Sequence, residues 1–495
     1  MAEVSARLWL IPICAAALHA QTDETACQRF NDTQQAREAA RCYEDVMKSA
    51  GSDAELAHRA LLGVARNRMW SGDSTAAARA YAAYVRDSAW DRAAALEYIR
   101  LLRYRGDYRT AEHWCDRLLE WNPTDTEVLA LRSEVLYWAG NRGFEALRNA
   151  EQARSGVAQA AALEAQGRRA AALERLQHLR SPEAGSDMAK FLEGRLREQT
   201  RPSSDPSYSV YNDSDGIHNS MRRASASIPL RGDHAVNVSA AEFVASAPIG
   251  TFTDGRNKAS VREFTAAGRV LMAPGVYLAI AAGGSNIRGS EVRPIYSAAI
   301  EGAPQDRWRL ALRVNREYLK VTPRAIDQGV HSDGVSGEVT YWFDSRTSAS
   351  AKVASRRWSD ANQSLQTEGT LARNWIYGRA FNLDAGALAA HQAFARDMLA
   401  VSGFFTPDRY SRYVGFADVH GEAGPRVAWE MRGEGGRQQI TAASAYQPNW
   451  SVTTRLSVKL MPKVSLHGSY ERKNYSLIAL NGWYQGFFAG LRVQR

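Results

Sequence analysis

The sequence predicts a two-domain protein: an all-α helical repeat domain followed by an antiparallel transmembrane β-barrel of about 16 strands. Three observations predict it. The N-terminal part is rich in Ala, Leu, Glu and Arg, all good helix formers, and carries a glycine that recurs every 34 residues. The C-terminal part breaks into segments in which apolar and polar residues alternate with period two, the mark of strands with one greasy and one wet face. The chain opens with the short basic-then-apolar leader of an exported protein.

At 495 residues the chain is too long for one ordinary core. Its net charge of +9 is spread along the whole length instead of gathered in a patch, so nucleic acid is not expected as a partner. Thirteen Trp and twenty Tyr suit surfaces where a ring is wet at one end and apolar at the other. In the leader, residues 1–20 read as a signal peptide: Arg7 is the positive region and Leu8–Leu18 the apolar one, with cleavage at Ala15-Ala16-Ala17 or Leu18-His19-Ala20. Cys14 as a lipid anchor is the weaker reading, because Ile13 stands where a small residue is needed. No other run is long enough to cross a bilayer as a helix. Cys27 and Cys42 would share an oxidising compartment, so a disulfide between them is one of the two options, free thiols the other. Cys115 falls within a helical pattern and reads as a small core residue.

Residues 21–199 are expected to form the helical domain, with Arg37–Met47 as a leading helix. Gly72, Gly106 and Gly140 stand 34 residues apart, each two residues after an aromatic (Trp70, Tyr104, Trp138). Each glycine would end the first helix of a pair in the left-handed conformation. Ala77 and Ala111 follow five residues later, where a second helix must approach the first, and Pro123 stops a unit. The third unit departs from the pattern, with Glu145 at the small-residue position, and Gly167 with Ala172 comes seven residues early. The period and pattern resemble the tetratricopeptide repeat, which implies a stacked domain that binds partners; a plain helical bundle is the alternative.

Thr200–Ser207 (TRPSSDPS) reads as a linker, and residues 208–495 as the barrel. Arg307–Tyr318 (RWRLALRVNREY) is the clearest strand: Trp308, Leu310, Leu312 and Val314 share one parity, and Arg309, Arg313 and Glu317 the other. Val427–Arg432, Val452–Leu460, Val464–Glu471 and Phe487–Gln494 alternate in the same way. Turns are expected at Pro229–Asp233, Ala273–Gly275, Gly302–Asp306, Asp344–Arg346, Gln447–Asn449 and Met461–Lys463. A soluble sandwich would need bulky apolar residues on its inner faces, and here the second face carries Arg, Glu, Lys, Ser and small residues. An outer-membrane barrel with a water-filled interior fits better. The final strand lacks the terminal aromatic usual for such barrels, ending in Val493-Gln494-Arg495.

Gly403–Tyr410 reads GFFTPDRY and precedes Tyr413, Trp429 and a Gly-rich turn at Gly433–Gly436. Phe404, Phe405, Thr406, Pro407 and Tyr410 resemble the aromatic-aromatic-Ser/Thr-Pro-x-x-Tyr signature of cellulose synthase operon protein C. That family places periplasmic tetratricopeptide repeats before a sixteen-stranded barrel that exports polysaccharide, and the poly-N-acetylglucosamine porin shares the plan. The resemblance implies an outer-membrane exopolysaccharide conduit with its N-terminal domain in the periplasm, a protein partner there, and outer-membrane lipid around the barrel. It covers under ten residues plus the domain order, and the repeat region is shorter than in the cellulose proteins. The motif also reads as a loop-to-strand turn with aromatics at the membrane interface.

No nucleophile elbow, phosphate loop or metal-binding motif is present, so no catalytic residue, metal or cofactor is expected, and the chain reads as a non-enzyme. The candidate lumen residues are Arg309, Arg313, Glu317, Glu430, Arg432, Arg455, Lys459 and Arg492. Such mixed charges brace a narrow wall or meet cargo. The rival readings are a closed barrel that merely anchors a binding or assembly domain, and a barrel enzyme acting on lipid.

Overall fold

The computed structural model describes residues 25–494 apart from 89–90, 141–142, 182, 251, 288–290, 377–380, 425 and 475–481. The signal-peptide reading of residues 1–20 lies outside the described residues. The chain divides into two compact units, Met1–Trp138 and Ala139–Arg495.

The first unit holds α1 (Ala36–Ser49), α2 (Ala54–Trp70), α3 (Ser74–Asp87), α4 (Arg92–Tyr104), α5 (Tyr108–Trp121) and nearly all of α6 (Thr126–Ala139). Gly72 and Gly106 end α2 and α4 at φ of 86° and 77°. There the backbone closes two bonds at each turn: Gly72 N–H to Met69 O and Asp73 N–H to Arg68 O, with Gly106 and Asp107 repeating the pattern. Asp73 and Asp107 then accept from the first turns of α3 and α5, so one residue ends a turn and starts a helix. Ala77 and Ala111 are fully buried within a core that includes Tyr81, Ile99, Leu102 and Cys115. Burial pushes the Cys115 thiol up to about 12. The repeat aromatics Trp70 and Tyr104 stay outside that core, 60% and 83% exposed. Pro123 follows the end of α5, and Gly140 follows α6 at φ 75°. Cys27 and Cys42 are joined by a disulfide.

The second unit begins with α7 (Gly143–Ala153), α8 (Gly156–Ala165), α9 (Arg169–Gln177) and α10 (Asp187–Gln199). Sixteen strands, β1 (Ser203–Asp213) to β16 (Tyr484–Gln494), follow in simple up-and-down order and close antiparallel, β1 pairing with β16. Closure removes every sheet edge. The lipid-facing parity carries Phe264, Ile280, Leu312, Val335, Leu371, Leu456 and Phe487, all exposed in this chain.

Three local expectations are corrected. Gly433–Gly436 is not a turn: it lies inside β13 (Val427–Gln439). A Cβ at Gly436 would sit 2.1 Å from Tyr413 O, so the glycine lets β12 (Tyr410–Ala423) and β13 approach. Gln447–Asn449 is not a turn either, but the start of β14 (Gln447–Met461), with Asn449 level with Gly436; the connection is 440–446. Ser203–Ser207, read as linker, is already strand. Pro206 lacks an N–H to give the ladder, and the β1–β16 ladder skips Asp205 and Pro206.

Candidate functional site: the barrel interior and its two mouths

Strand alternation sends one side chain of each pair inward. On β7 (Trp308–Tyr318), Arg309, Arg313 and Glu317 lie on the parity opposite Trp308, Leu310 and Leu312. Arg309 is level with Thr340 and makes no ion pair among the described residues. Arg313 reaches Glu301 on β6 (Glu291–Gln305) at 3.8 Å, and Glu317 meets Arg356 on β9 (Thr347–Trp358) at 3.8 Å. On the far arc, Glu430 binds Arg455 at 2.6 Å and Arg432 binds Glu434 at 2.9 Å. Glu434 also pairs with Arg412 and accepts from Ser451 at 2.9 Å. Arg492 binds Asp205 across the β1–β16 closure at 3.0 Å. The inner wall is thus laced by ion pairs, most of them cross-strand, and the β7 set and the β13–β16 set stand on different arcs.

One mouth is where β1 enters, here called proximal. Its turns hold the helices of the same unit. Asp306, between β6 and β7, accepts from Phe144 N–H at 2.8 Å and Glu145 N–H at 2.9 Å, capping α7. Asp233, between β2 (His218–Pro229) and β3 (Ala235–Ser246), accepts from Ala170 N–H at 2.6 Å in the first turn of α9. Tyr277 on β5 (Val276–Ile287) donates its hydroxyl to Gly167 O at 2.5 Å, with the Arg269 guanidinium stacked 3.6 Å from its ring. Lys459 binds Glu198 of α10 at 3.0 Å, and Gln494 donates to Glu198 O at 3.1 Å. Between helices and wall lies a cavity of about 760 Å³ whose lining includes Arg169, Arg195, Arg201, Arg223, Arg426 and Lys459. Its acids, Glu198, Asp205 and Glu422, are fewer. None of this docking was expected from the sequence, though Asp233 and Asp306 were placed in turns.

The distal mouth is narrowed by two connections. Between β7 and β8 (His331–Trp342), the segment 319–330 carries a short helix, α11 (Pro323–Asp327). Its Ile326 is buried against Ala259, Val261 and Tyr318, and Val321 O accepts from Asn219 on β2 at 3.1 Å. Since β2 lies five strands from β7, the segment folds inward across the interior. Residues of the 401–410 stretch hold it. Phe404 is buried with Trp358, Phe394 and Ala325. Thr322 Oγ1 donates to Gly403 O at 2.7 Å, and Gln328 Nε2 to Val401 O at 2.9 Å. Thr406 Oγ1 accepts from Met398 N–H at 2.6 Å and donates to Asp397 at 3.2 Å; Pro407 O accepts from Phe394 N–H at 3.0 Å. Tyr410 donates to Gln438 at 3.3 Å, and Phe405 is half-buried.

No protein-family model matches the chain, and no curated protein matches it. Solved structures do. One described as a tetratricopeptide repeat protein from Parabacteroides merdae shares 15% identity over 36% of this chain and 72% of that chain, TM-score 0.32. The outer membrane protein opdK from Pseudomonas aeruginosa shares 9% identity over 59% of this chain and 99% of that one, TM-score 0.34. A structure described as a bacterial polysaccharide outer membrane secretin shares 12% identity over 60% of this chain and 99% of that one, TM-score 0.50. The chain is a helical-repeat protein whose closed sixteen-strand barrel has the fold of that secretin.

Proposed function

We propose that the protein is an outer-membrane conduit for export of an exopolysaccharide, with its helical domain in the periplasm. The observation that carries this reading is the basic, hydrogen-bonding cavity at the proximal mouth, roofed by α9 and α10 and continuous with an ion-paired inner wall. A polymer rich in hydroxyls would meet guanidinium donors along its path and few apolar surfaces to stick to. The repeats would recruit a periplasmic protein partner or guide the polymer. The protein acts as a passage and not as an enzyme. Support also comes from the secretin fold. Deleting the gene is expected to remove polymer from the culture medium and trap it in the periplasm. Unchanged release would overturn the reading.

A second reading, a closed barrel that anchors a binding or assembly scaffold, is favoured by one observation: segment 319–330 reaches across the distal mouth to Asn219. The two readings part on conductance.

A further inference from the structure

The outer face of the barrel differs from end to end. On the lipid-facing parity, the proximal half of the wall carries Met272, Ile300, Leu310, Leu456 and Leu466, all exposed. Its charge among the described strand residues is Arg373, whose guanidinium lies 5.4 Å over the Trp375 ring. The distal half is built otherwise. Arg222 on β2 is level with Glu242 on β3, and Glu242 with Arg262 on β4 (Lys258–Ala273). Arg262 binds Glu242 at 3.2 Å while staying 79% exposed. Farther round, the arrangement recurs: Arg316 on β7 is level with Asp333 on β8, and Asp333 with Arg357 on β9. Arg316 gives Asp333 two bonds, at 2.7 and 2.6 Å, and Tyr296 donates to the same carboxylate at 3.2 Å.

These residues share parity with Phe264, Val314, Val335 and Val353, so they face outward. All six stand within four residues of the distal ends of their strands. With a rise of roughly 3.3 Å per residue and a strand tilt, that is within about 10 Å of the rim. An arginine facing bare hydrocarbon is destabilising at mid-depth and tolerated near a headgroup layer. Each carboxylate lies between two arginines. It bonds one of them, Arg262 in the first triplet and Arg316 in the second, and neutralises one charge, leaving every triplet net positive. The two arginines of a triplet are two strands apart, about 10 Å, and guanidinium takes phosphate in a bidentate fork.

We infer that the two Arg-acid-Arg triplets, on β2–β4 and β7–β9, bind the phosphorylated headgroup of a glycolipid in the leaflet at the distal end. A leaflet of phosphorylated glycolipid is the outward one of an asymmetric outer membrane, so the same contact orients the barrel with α7–α10 on the opposite side. The inference rests on the barrel spanning a membrane and is independent of what the interior carries.

The test uses the full chain in nanodiscs of phosphatidylethanolamine, titrated with purified lipopolysaccharide and read by native mass spectrometry. Wild type is expected to bind the bisphosphorylated form at least about tenfold more tightly than its dephosphorylated form or phosphatidylglycerol. The Arg222→Gln/Arg262→Gln and Arg316→Gln/Arg357→Gln pairs should each lose one bound glycolipid, and the four together both. Lysine replacements, which keep the charge and lose the fork, should fall between. Equal binding of the dephosphorylated form or of phosphatidylglycerol, or stoichiometry unchanged in the fourfold variant, would overturn the inference. If the fourfold variant does not assemble, the headgroup series on wild type decides alone.

Discussion

Replacing Asp306 tests whether the barrel's own turns hold the helices over its proximal mouth. Its carboxylate accepts two backbone N–H groups from the open first turn of α7, at 2.8 and 2.9 Å. An aspartate cap contributes about 1 kcal/mol, and its charge at the positive end of the helix adds about 0.3–1 kcal/mol more. Two donors on one carboxylate put Asp306→Ala near 2 kcal/mol of local destabilisation, roughly a thirtyfold gain in opening at 1.4 kcal/mol per decade. Hydrogen exchange of the full chain in detergent reads this directly, since docked helices exchange through local opening. Amides of α7 should lose protection by about that factor, whereas those of β10 (Gln363–Ile376) and β11 (Asn382–Phe394), strands not paired with β6 or β7, should not change. Adding Asp233→Ala, which uncaps α9, should extend the loss to that helix. Unchanged α7 protection in the double variant would refute this docking.

Gly436→Ala should block barrel assembly, read as loss of heat-modifiable migration, because its Cβ would meet Tyr413 O at 2.1 Å. Gly435→Ala, with nothing within 4 Å of the added carbon, should assemble normally. Phe404→Ala removes the ring packed on Trp358 and should cost about 3–5 kcal/mol locally, freeing segment 319–330 to proteolysis. In the first unit, hydrogen bonding from Arg92 holds the Asp125 and Glu127 carboxyls below their usual range. A depressed carboxylate stabilises the fold above its unfolded pKa, and that stabilisation is lost as pH falls through the folded value. Protection of α4 and α6 should therefore fall as pH drops below about 4, and Arg92→Gln should flatten the dependence.

The barrel was legible because lipid and interior alternate along every strand, so Trp308–Val314 and Arg309–Glu317 sort themselves by parity. The repeat was legible because Gly72 and Gly106 do a local job that shows up at fixed spacing. What escaped was non-local. Asp233 and Asp306 look like ordinary turn residues, and their partners lie 63 and 161 residues away. Gly433–Gly436 reads as a turn in one dimension and as close strand packing in three. The distal latch escaped for the same reason. Phe404 looked like an interface aromatic, yet it is buried against Trp358 and Ala325, which come from two other segments. The inward-facing charges were legible as a set, but their partners were not: Lys459 binds Glu198, 261 residues earlier and on a helix.

The central claim is that a passage runs from the basic proximal cavity to the distal mouth. Single-channel recording of the full chain in planar bilayers tests it most directly. Discrete conductance steps are expected that favour anions, grow larger in Phe404→Ala, and are interrupted by soluble oligosaccharide added on the helical side. Silent membranes for both wild type and Phe404→Ala would contradict it and leave the barrel an anchor.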